Sequence, residues 1–421
     1  MAVKSWQAVT AVIVVSFGLT LLEIPSGTWF TTAALSLACG VAALSLMGTA
    51  AILGGRWPVL ESVFGGLDRV YEVHKWLAVF ALSLASVHLL FKAGVRGWET
   101  AAILPLDPAW TRLVRQGSFV GLMAIVVVAL NRNIPYSTWR WWHRLSGPLF
   151  LVVVLHGLSI KSPVALQSPA GIWLAVIAAL GLAAAAYKLL LYPFVASRAE
   201  YRVVGVDRGP AAARIELEPT GRGIDFRPGH FGFLRMKVDG LREPHPFTIA
   251  AAPASTGKIA FVIRALGDYT GELVSRVSEG MRADVYAPYG RFERARTAPR
   301  EIWIGGGVGI SPFIAWMQDP AEDRFDKATL FYFYTPGRVF PDIAVLERMA
   351  AERGLEFVPV ATGPNTPAFV ERFSQIVREQ NPSALDIALC GPKGLHEEVR
   401  KLCVSQGLPP DKIRHELFAF R

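Results

Sequence analysis

Two apolar stretches decide the architecture: residues 70–92, VYEVHKWLAVFALSLASVHLLFK, and residues 139–160, WRWWHRLSGPLFLVVVLHGLSI. The first carries His74 and His88, the second His143 and His156. Each stretch is long enough to cross a bilayer as a helix, which takes about 20 residues. Ionisable side chains are costly at membrane depth, so four histidines inside two such stretches point to function. His74 and His88 are 14 residues apart. On a helix that interval is a rise of about 21 Å with about 40° of rotation, one face at two depths. His143 and His156 are 13 apart, which in a regular helix means about 19.5 Å and about 140°. Pro148, after Gly147, removes the hydrogen bond to the Arg144 carbonyl and should kink or rewind the helix. That break is expected to return both rings to a common face.

Six segments read as membrane spans: residues 6–24, 29–53, 70–92, 117–130, 139–160 and 171–195, the fourth being the shortest. The third and fifth run in the same direction, so the imidazoles pair by depth. His74 would face His143 near the inner side, and His88 would face His156 near the outer side. Each pair can supply two axial ligands to one haem iron, stacking two haems across the membrane. Such ligation leaves the iron no easy open position and suits electron transfer. A lone membrane histidine is more often a helix–helix hydrogen bond; two pairs of near-equal spacing are a different pattern. A metal-ion transporter, the main rival, would call for carboxylates at the same depth.

Composition agrees with a membrane half joined to a globular half. Nearly all the long apolar runs fall in the first 200 of 421 residues, and the mean hydropathy is +0.35. The formal charge of +9 is spread over loops and the second half. No run of Lys and Arg interleaves with aromatics, so nucleic-acid binding is not expected. Inner-leaflet lipids and an anionic dinucleotide explain the excess. The three cysteines, Cys39, Cys390 and Cys403, have no metal-ligand spacing and form no disulfide framework. The positive-inside signal is mixed: Arg56 and Arg69 lie between spans two and three, and Arg132, Arg140 and Arg144 between spans four and five or just inside span five, but the loop between spans three and four is also basic. Trp139, Trp141 and Trp142 read as belt residues at the inner interface.

From residue 201 the pattern becomes short alternating strands at 201–207, 213–219, 231–238 and 257–264, as in a small antiparallel barrel. After the Arg-rich stretch 293–300, a strand at 301–304 enters Gly305-Gly306-Gly307-Val308-Gly309-Ile310-Ser311-Pro312-Phe313, and strand–helix alternation follows. Glycines after a strand let the backbone approach a pyrophosphate at the next helix N-terminus, where Pro312 fits the first turn. A second strand, 386–389, ends in Cys390-Gly391-Pro392, placed for a nicotinamide at the carboxyl edge of an open sheet. Thr335 and Arg338 follow a strand at 329–334 and suit a 2′-phosphate, while nearby Asp342 keeps NADH open.

Over nearly its whole length the chain resembles the ferric reductase and NADPH oxidase family, and in size its compact bacterial members. The four membrane histidines match that family's haem-ligand pattern, including the shorter second interval. His245-Pro246-Phe247-Thr248-Ile249 resembles the family's flavin motif, which implies contacts to the isoalloxazine and ribityl chain. Arg264-Ala265-Leu266-Gly267-Asp268-Tyr269-Thr270 is similar to the segment that holds the FAD pyrophosphate, through Arg264, Gly267 and Thr270. Ala287-Pro288-Tyr289-Gly290 resembles a later turn of the barrel. Near the C-terminus, the resemblance implies an aromatic over the flavin ring, Phe420 or alternatively Phe418.

The implied fold is a six-helix transmembrane bis-haem bundle (1–197), an FAD-binding β-barrel (198–297) and an NAD(P)H-binding α/β domain (298–421). The implied cofactors are FAD, two haem b and NADPH, with NADH possible. Phe420, Thr248 and Cys390 are the residues expected around hydride transfer. The implied activity carries electrons from cytosolic NADPH across a bacterial cytoplasmic membrane to dioxygen, forming superoxide, with both termini cytoplasmic. A ferric chelate is the alternative acceptor, with Lys92 as a cation near the outer haem. An electron-delivery module serving a periplasmic protein would dock through the loop 93–116, although no obligatory protein partner is expected.

Overall fold

The computed structural model describes residues 3–131, 133–322, 324–361, 363–409 and 412–416. The chain divides after Val195 into two compact units.

The first unit is helical. In chain order its helices are α1 (Ser5–Leu22), α2 (Thr32–Gly54), α3 (Pro58–Phe64), α4 (Leu67–Leu90), α5 (Pro108–Leu130), α6 (Tyr136–His143), α7 (Ser146–Ser159), α8 (Pro169–Ala186) and α9 (Tyr192–Val195). A π-helical turn, Tyr187–Leu191, joins the last two. Five segments are long and apolar enough to cross a membrane: α1, α2, α4, α5 and Pro169–Leu191. The fifth expected span, 139–160, does not form one continuous helix. Helix α6 stops at His143, Arg144 and Leu145 form a turn, and α7 restarts at Ser146. Pro148 has no N–H for the Arg144 carbonyl, so the ladder opens one turn before the proline. The fourth span is longer than its expected 117–130, because Asp107 caps α5 through the Ala109 amide at 2.8 Å and brings Arg112 and Arg115 into the helix. The last expected span, 171–195, is α to Ala186, π-helical over Tyr187–Leu191 and α again over Tyr192–Val195.

Helix α2 is the central element. Its Ala, Ser and Gly residues let neighbours approach closely. A Cβ at Gly181 of α8 would lie 3.1 Å from the Gly48 Cα, so the two backbones cross there in contact. The loop between α4 and α5 is folded down onto the helices. Ala101 bridges Ser162, the Leu104 amide donates to the Leu158 carbonyl at 2.8 Å, and Trp98 is buried with Leu37, Val41 and Ala170.

The second unit contains two sheets. Strands β1 (Arg198–Arg208), β2 (Ala212–Pro219), β3 (Phe231–Met236), β4 (His245–Thr248), β5 (Ile259–Arg264) and β6 (Arg282–Tyr289) form an antiparallel sheet in the order β4-β3-β6-β1-β2-β5. An Ile249–Phe261 bridge joins its two edges into a barrel. Two strands escape the alternation rule, β4 because it is short and carries Pro246, and β6 because Ala283–Ala287 is buried on both faces. The expected turn at Ala287-Pro288-Tyr289 is instead the end of β6, and the chain reverses at Gly290, φ +87°. Helix α10 (Asp268–Arg276) follows β5.

Strands β7 (Arg300–Gly306), β8 (Ala328–Tyr334), β9 (Glu356–Ala361), β10 (Leu385–Cys390) and β11 (Ile413–Glu416) form a wholly parallel sheet in the order β11-β10-β7-β8-β9. Helices α11 (Ser311–Met317), α12 (Ile343–Glu352), α13 (Pro367–Glu379) and α14 (Lys393–Ser405) supply the crossovers. The chain winds outward from β7 through β8 and β9, then returns to place β10 on the other side. The carboxyl ends of β7 and β10 therefore form a topological switch point, where open α/β sheets bind ligands.

Candidate functional site

In the helical unit the rings of His74 and His143 lie 5.9 Å apart centre to centre, and those of His88 and His156 6.3 Å apart. The break at Arg144–Leu145 allows α6 to present the first ring and α7 the second to the same neighbour, α4. Imidazole nitrogens bind transition metals at about 2 Å, so two rings sharing one metal on opposite sides have centres about 6 Å apart. Both pairs fit that span. The Nδ1–H of His74 donates to the Ala50 carbonyl at 2.7 Å, and that of His88 to the Ser36 carbonyl at 2.8 Å. These bonds from α2 fix the tautomer and leave Nε2 as the free donor atom, the usual arrangement behind a ligating histidine. His143 and His156 have buried Nδ1 atoms with no hydrogen-bond partner among the described residues. Their rings are fixed differently: Trp139 stacks on His143 at 5.2 Å. Among the described residues no group of three or more His, Cys, Asp or Glu converges on either pair. A two-ligand axial set suits a metal whose other positions belong to a macrocycle, so the residues fit haem.

Room for these rings comes from glycine. A Cβ at Gly40 would stand 2.9 Å from the His88 Nδ1, and one at Gly54 would stand 3.8 Å from the His74 Cε1. These glycines are themselves 14 residues apart on α2, so α2 repeats the period of α4. Gly40→Ala should push His88 off the Ser36 carbonyl. Loss of such a supporting bond weakens metal retention by about tenfold to a hundredfold. Haem content per protein, read from the pyridine haemochrome, checks this.

In the second unit the flavin-like and nucleotide-like motifs meet. Thr248, at the end of β4, is buried and donates to the Glu416 carboxylate at 3.0 Å. Glu416 pairs in register with Cys390, and Cys390 with Gly305. Thr248, Glu416, Cys390 and the glycine loop thus lie in series across the carboxyl edge of the parallel sheet. Burial, reinforced by the Glu416 charge, raises the Cys390 thiol well above its ordinary pKa. It stays a neutral thiol at physiological pH, a small packing surface and not a thiolate nucleophile.

Glycine is required in this crevice. A Cβ at Gly309 would sit 2.2 Å from the Cys390 carbonyl oxygen, and one at Gly306 2.7 Å from Leu395 and 2.9 Å from Pro392. The Gly305–Gly309 and Cys390–Pro392 loops are therefore in backbone contact. Gly307 takes a left-handed φ of +56°, and Pro312 occupies the first turn of α11. Gly391 approaches within 3.5 Å of the Gly306 Cβ position.

His245 stacks on Tyr269 with ring centres 3.7 Å apart, joining β4 to the 264–270 segment. Pro246 and Phe247 pair with Phe233 and Gly232 of β3. Thr270 accepts the amides of Leu266 and Gly267, both at 3.0 Å, so its hydroxyl shapes the loop between Arg264 and α10. Thr335 and Arg338 are exposed beyond β8, whereas Asp342 is occupied as the N-cap of α12, bonded to the Ala344 amide at 2.8 Å. Phe418 and Phe420 lie outside the described residues. Glu416 is the site residue that motif reading missed. Its one signal is an acid at the carboxyl end of the final strand, beside a motif already singled out.

The family described as "Ferric reductase like transmembrane component" matches residues 39–154, which contain His74, His88 and His143 and end two residues before His156. The chain is 25% identical over 217 residues to the reductase component of propane 2-monooxygenase from Rhodococcus jostii, covering 48% of this chain and 57% of that protein. It is also 25% identical over 250 residues to NADPH oxidase 1 of Mus musculus, covering 48% of this chain and 42% of that one. It therefore spans less than two thirds of the length of these relatives. Among solved structures, flavohemoglobin from Malassezia yamatoensis with bound FAD and haem aligns over 96% of this chain and 99% of that chain, with a TM-score of 0.49 and 17% identity. The chain thus carries a segment like the ferric reductase transmembrane component and is similar to NADPH oxidases and to oxygenase reductase components, and it is an oxidoreductase.

Proposed function

We propose that the protein carries electrons from cytosolic NADPH through FAD and two b-type haems across the cytoplasmic membrane to dioxygen, releasing superoxide. The observation that carries this reading is the paired geometry of His74 with His143 and His88 with His156, at 5.9 and 6.3 Å. FAD supplies the change from hydride to single-electron chemistry that haem alone does not perform. The chain's own residues bind and orient. Arg264 and the 266–267 loop, held by Thr270, would take the FAD pyrophosphate. His245–Thr248 would line the flavin, and the Gly305–Gly309 loop with Cys390–Pro392 would seat the nicotinamide nucleotide. Glu416 positions Thr248 at that junction, and Phe420, or Phe418, would cover the flavin until nicotinamide arrives. On this reading the domains are 1–197, 198–297 and 298–421, with both termini cytoplasmic.

The folded-down outer loop favours a small acceptor. Leu104 is bonded to Leu158, two residues beyond His156, and Ala101 to Ser162, so this loop is tied down onto the end of the bundle next to that ring. A second reading, ferric-chelate reduction, draws on exposed Lys92, Arg112 and Arg115 at the outer ends of α4 and α5, which would attract an anionic chelate. Purified protein supplied with NADPH separates them. Superoxide-dismutase-sensitive dye reduction in air supports the oxidase. Rapid chelate reduction with no superoxide overturns it in favour of the reductase.

Exposed Arg338 and Thr335, with Asp342 committed to a cap, favour NADPH over NADH. Arg338→Ala should lower kcat/KM for NADPH and leave that for NADH unchanged. A charge-assisted bond to phosphate contributes about 1.5–3 kcal/mol, or about one to two orders of magnitude. Steady-state kinetics with both nucleotides checks it.

A further inference from the structure

The loop that leaves β8 carries Thr335 and Arg338 on an exposed turn and then runs inward. Thr335, Pro336, Gly337 and Arg338 are exposed, Val339 is half-buried, and Phe340 and Pro341 are buried. The Arg338 amide closes the turn on the Thr335 carbonyl at 3.0 Å, and Gly337 permits it with a φ of +75°. These features give the turn a shape but not a place, because an exposed segment with few apolar contacts is weakly held against the rest of the fold. Phe340 supplies the place. The Tyr332 hydroxyl of β8 donates to the Phe340 carbonyl at 3.4 Å, and the Phe340 ring joins a core shared by Leu330 of β8 with Ala212 and Val262 of the barrel.

The seat of that ring is Gly209. A Cβ there would stand 2.4 Å from the Phe340 Cδ2, 2.8 Å from its Cγ and 3.0 Å from its Cβ. Gly209 is not at positive φ, so glycine serves there for room and not for conformation. The atoms it would meet are the root of the ring, which cannot swing clear as the tip of a flexible chain could. Gly209 opens the turn between β1 and β2, its amide bonded to the Ala212 carbonyl at 2.9 Å. The same turn is tied to the 264–270 segment, because the Ala211 carbonyl accepts the Ala265 amide, also at 2.9 Å. The barrel turn is therefore braced, and Phe340 anchors the Arg338 turn to it from two residues away.

We propose that Phe340, seated on Gly209, is a positioning residue for the 2′-phosphate end of NADPH, holding Arg338 where that phosphate arrives. The role rests on the nucleotide assignment of Arg338 made above. Without the seat the turn has to be ordered when NADPH binds, which costs affinity. NADH has no 2′-phosphate to meet Arg338 and should not register the change. A loss of this kind raises KM and leaves kcat in place.

The test uses full-length protein supplied with FAD and a soluble dye that takes electrons from the flavin. It compares wild type, Phe340→Ala, Phe340→Leu and Gly209→Ala, each with and without Arg338→Ala. Steady-state constants for NADPH and NADH, and calorimetric titration with NADP+, are the readouts. Phe340→Ala and Gly209→Ala should each raise KM for NADPH and Kd for NADP+ by about tenfold, the lower end of what one charge-assisted bond contributes, with kcat and the NADH constants kept. Phe340→Leu, which keeps an apolar side chain on the glycine, should show little of this loss. In the Arg338→Ala background neither substitution should weaken NADPH further, because the residue through which Phe340 acts is gone. An equal loss with both nucleotides, or a loss that persists without Arg338, would make Phe340 a packing residue and overturn the proposal. Where Phe340→Ala does not fold, Gly209→Ala reaches the same contact from the barrel side. If Arg338→Ala alone leaves the NADPH-to-NADH ratio of kcat/KM unchanged, the nucleotide assignment fails first and the positioning role with it.

Discussion

Replacing His88 by Ala is expected to abolish electron transfer to the outer acceptor while sparing reduction of the flavin. The ring is held by the Ser36 carbonyl at 2.8 Å and stands 6.3 Å from His156. Alanine supplies no donor atom, and no third ligand-type side chain in a described cluster is placed to replace it. One of two haem signatures should disappear, and NADPH-driven superoxide formation should fall to background. The flavin and nucleotide motifs belong to the other unit, so a soluble dye that takes electrons from flavin directly should still be reduced at the wild-type rate. Haem absorbance and the two assays on one preparation check this. Equal loss of both activities would mean that His88 matters for folding and not for the route.

Gly309→Ala should do the reverse. Its Cβ would stand 2.2 Å from the oxygen and 2.6 Å from the carbon of the Cys390 carbonyl. Both are backbone atoms of a central strand, bonded on either side to β7 and β11. Neither can turn aside as a side chain could, so the two loops of the switch point must separate. Overpacking of this kind costs about 1–3 kcal/mol in stability. The functional effect should be larger, because displacing a reacting group by about 1 Å can cost about a hundredfold in rate. Expected results are a loss of about that size in kcat/KM for NADPH with both acceptors, and an unchanged haem spectrum. Stopped-flow flavin reduction isolates the step.

These two substitutions also mark what was legible in the sequence. The histidine intervals could be read because helical periodicity converts 14 residues into one face. The opening in residues 139–160 was legible from Pro148, but its position was not. It lies at Arg144–Leu145, because the proline acts on the carbonyl four residues before it. The extent of α5 was hidden by Arg112 and Arg115, whose charges interrupt an apolar run without interrupting a helix. The glycine loop and Cys390-Gly391-Pro392 were each visible, yet their backbone contact depends on β10 returning beside β7. Glu416 and the seat of Phe340 were out of reach for a similar reason. A buried carboxylate bonded to Thr248 across 168 positions, or a ring packed on a glycine of the barrel, has no local signature.

A route from NADPH to two haems can be followed by absorbance in an anaerobic experiment. The purified, haem-loaded full-length protein is mixed with FAD and NADPH without oxygen, and then exposed to air. Two b-type centres should be reduced by NADPH and reoxidised by air with superoxide appearing, and His88→Ala should show a single such centre. Protein that carries no b-type haem, or whose haems stay oxidised while NADPH is consumed, would contradict this route.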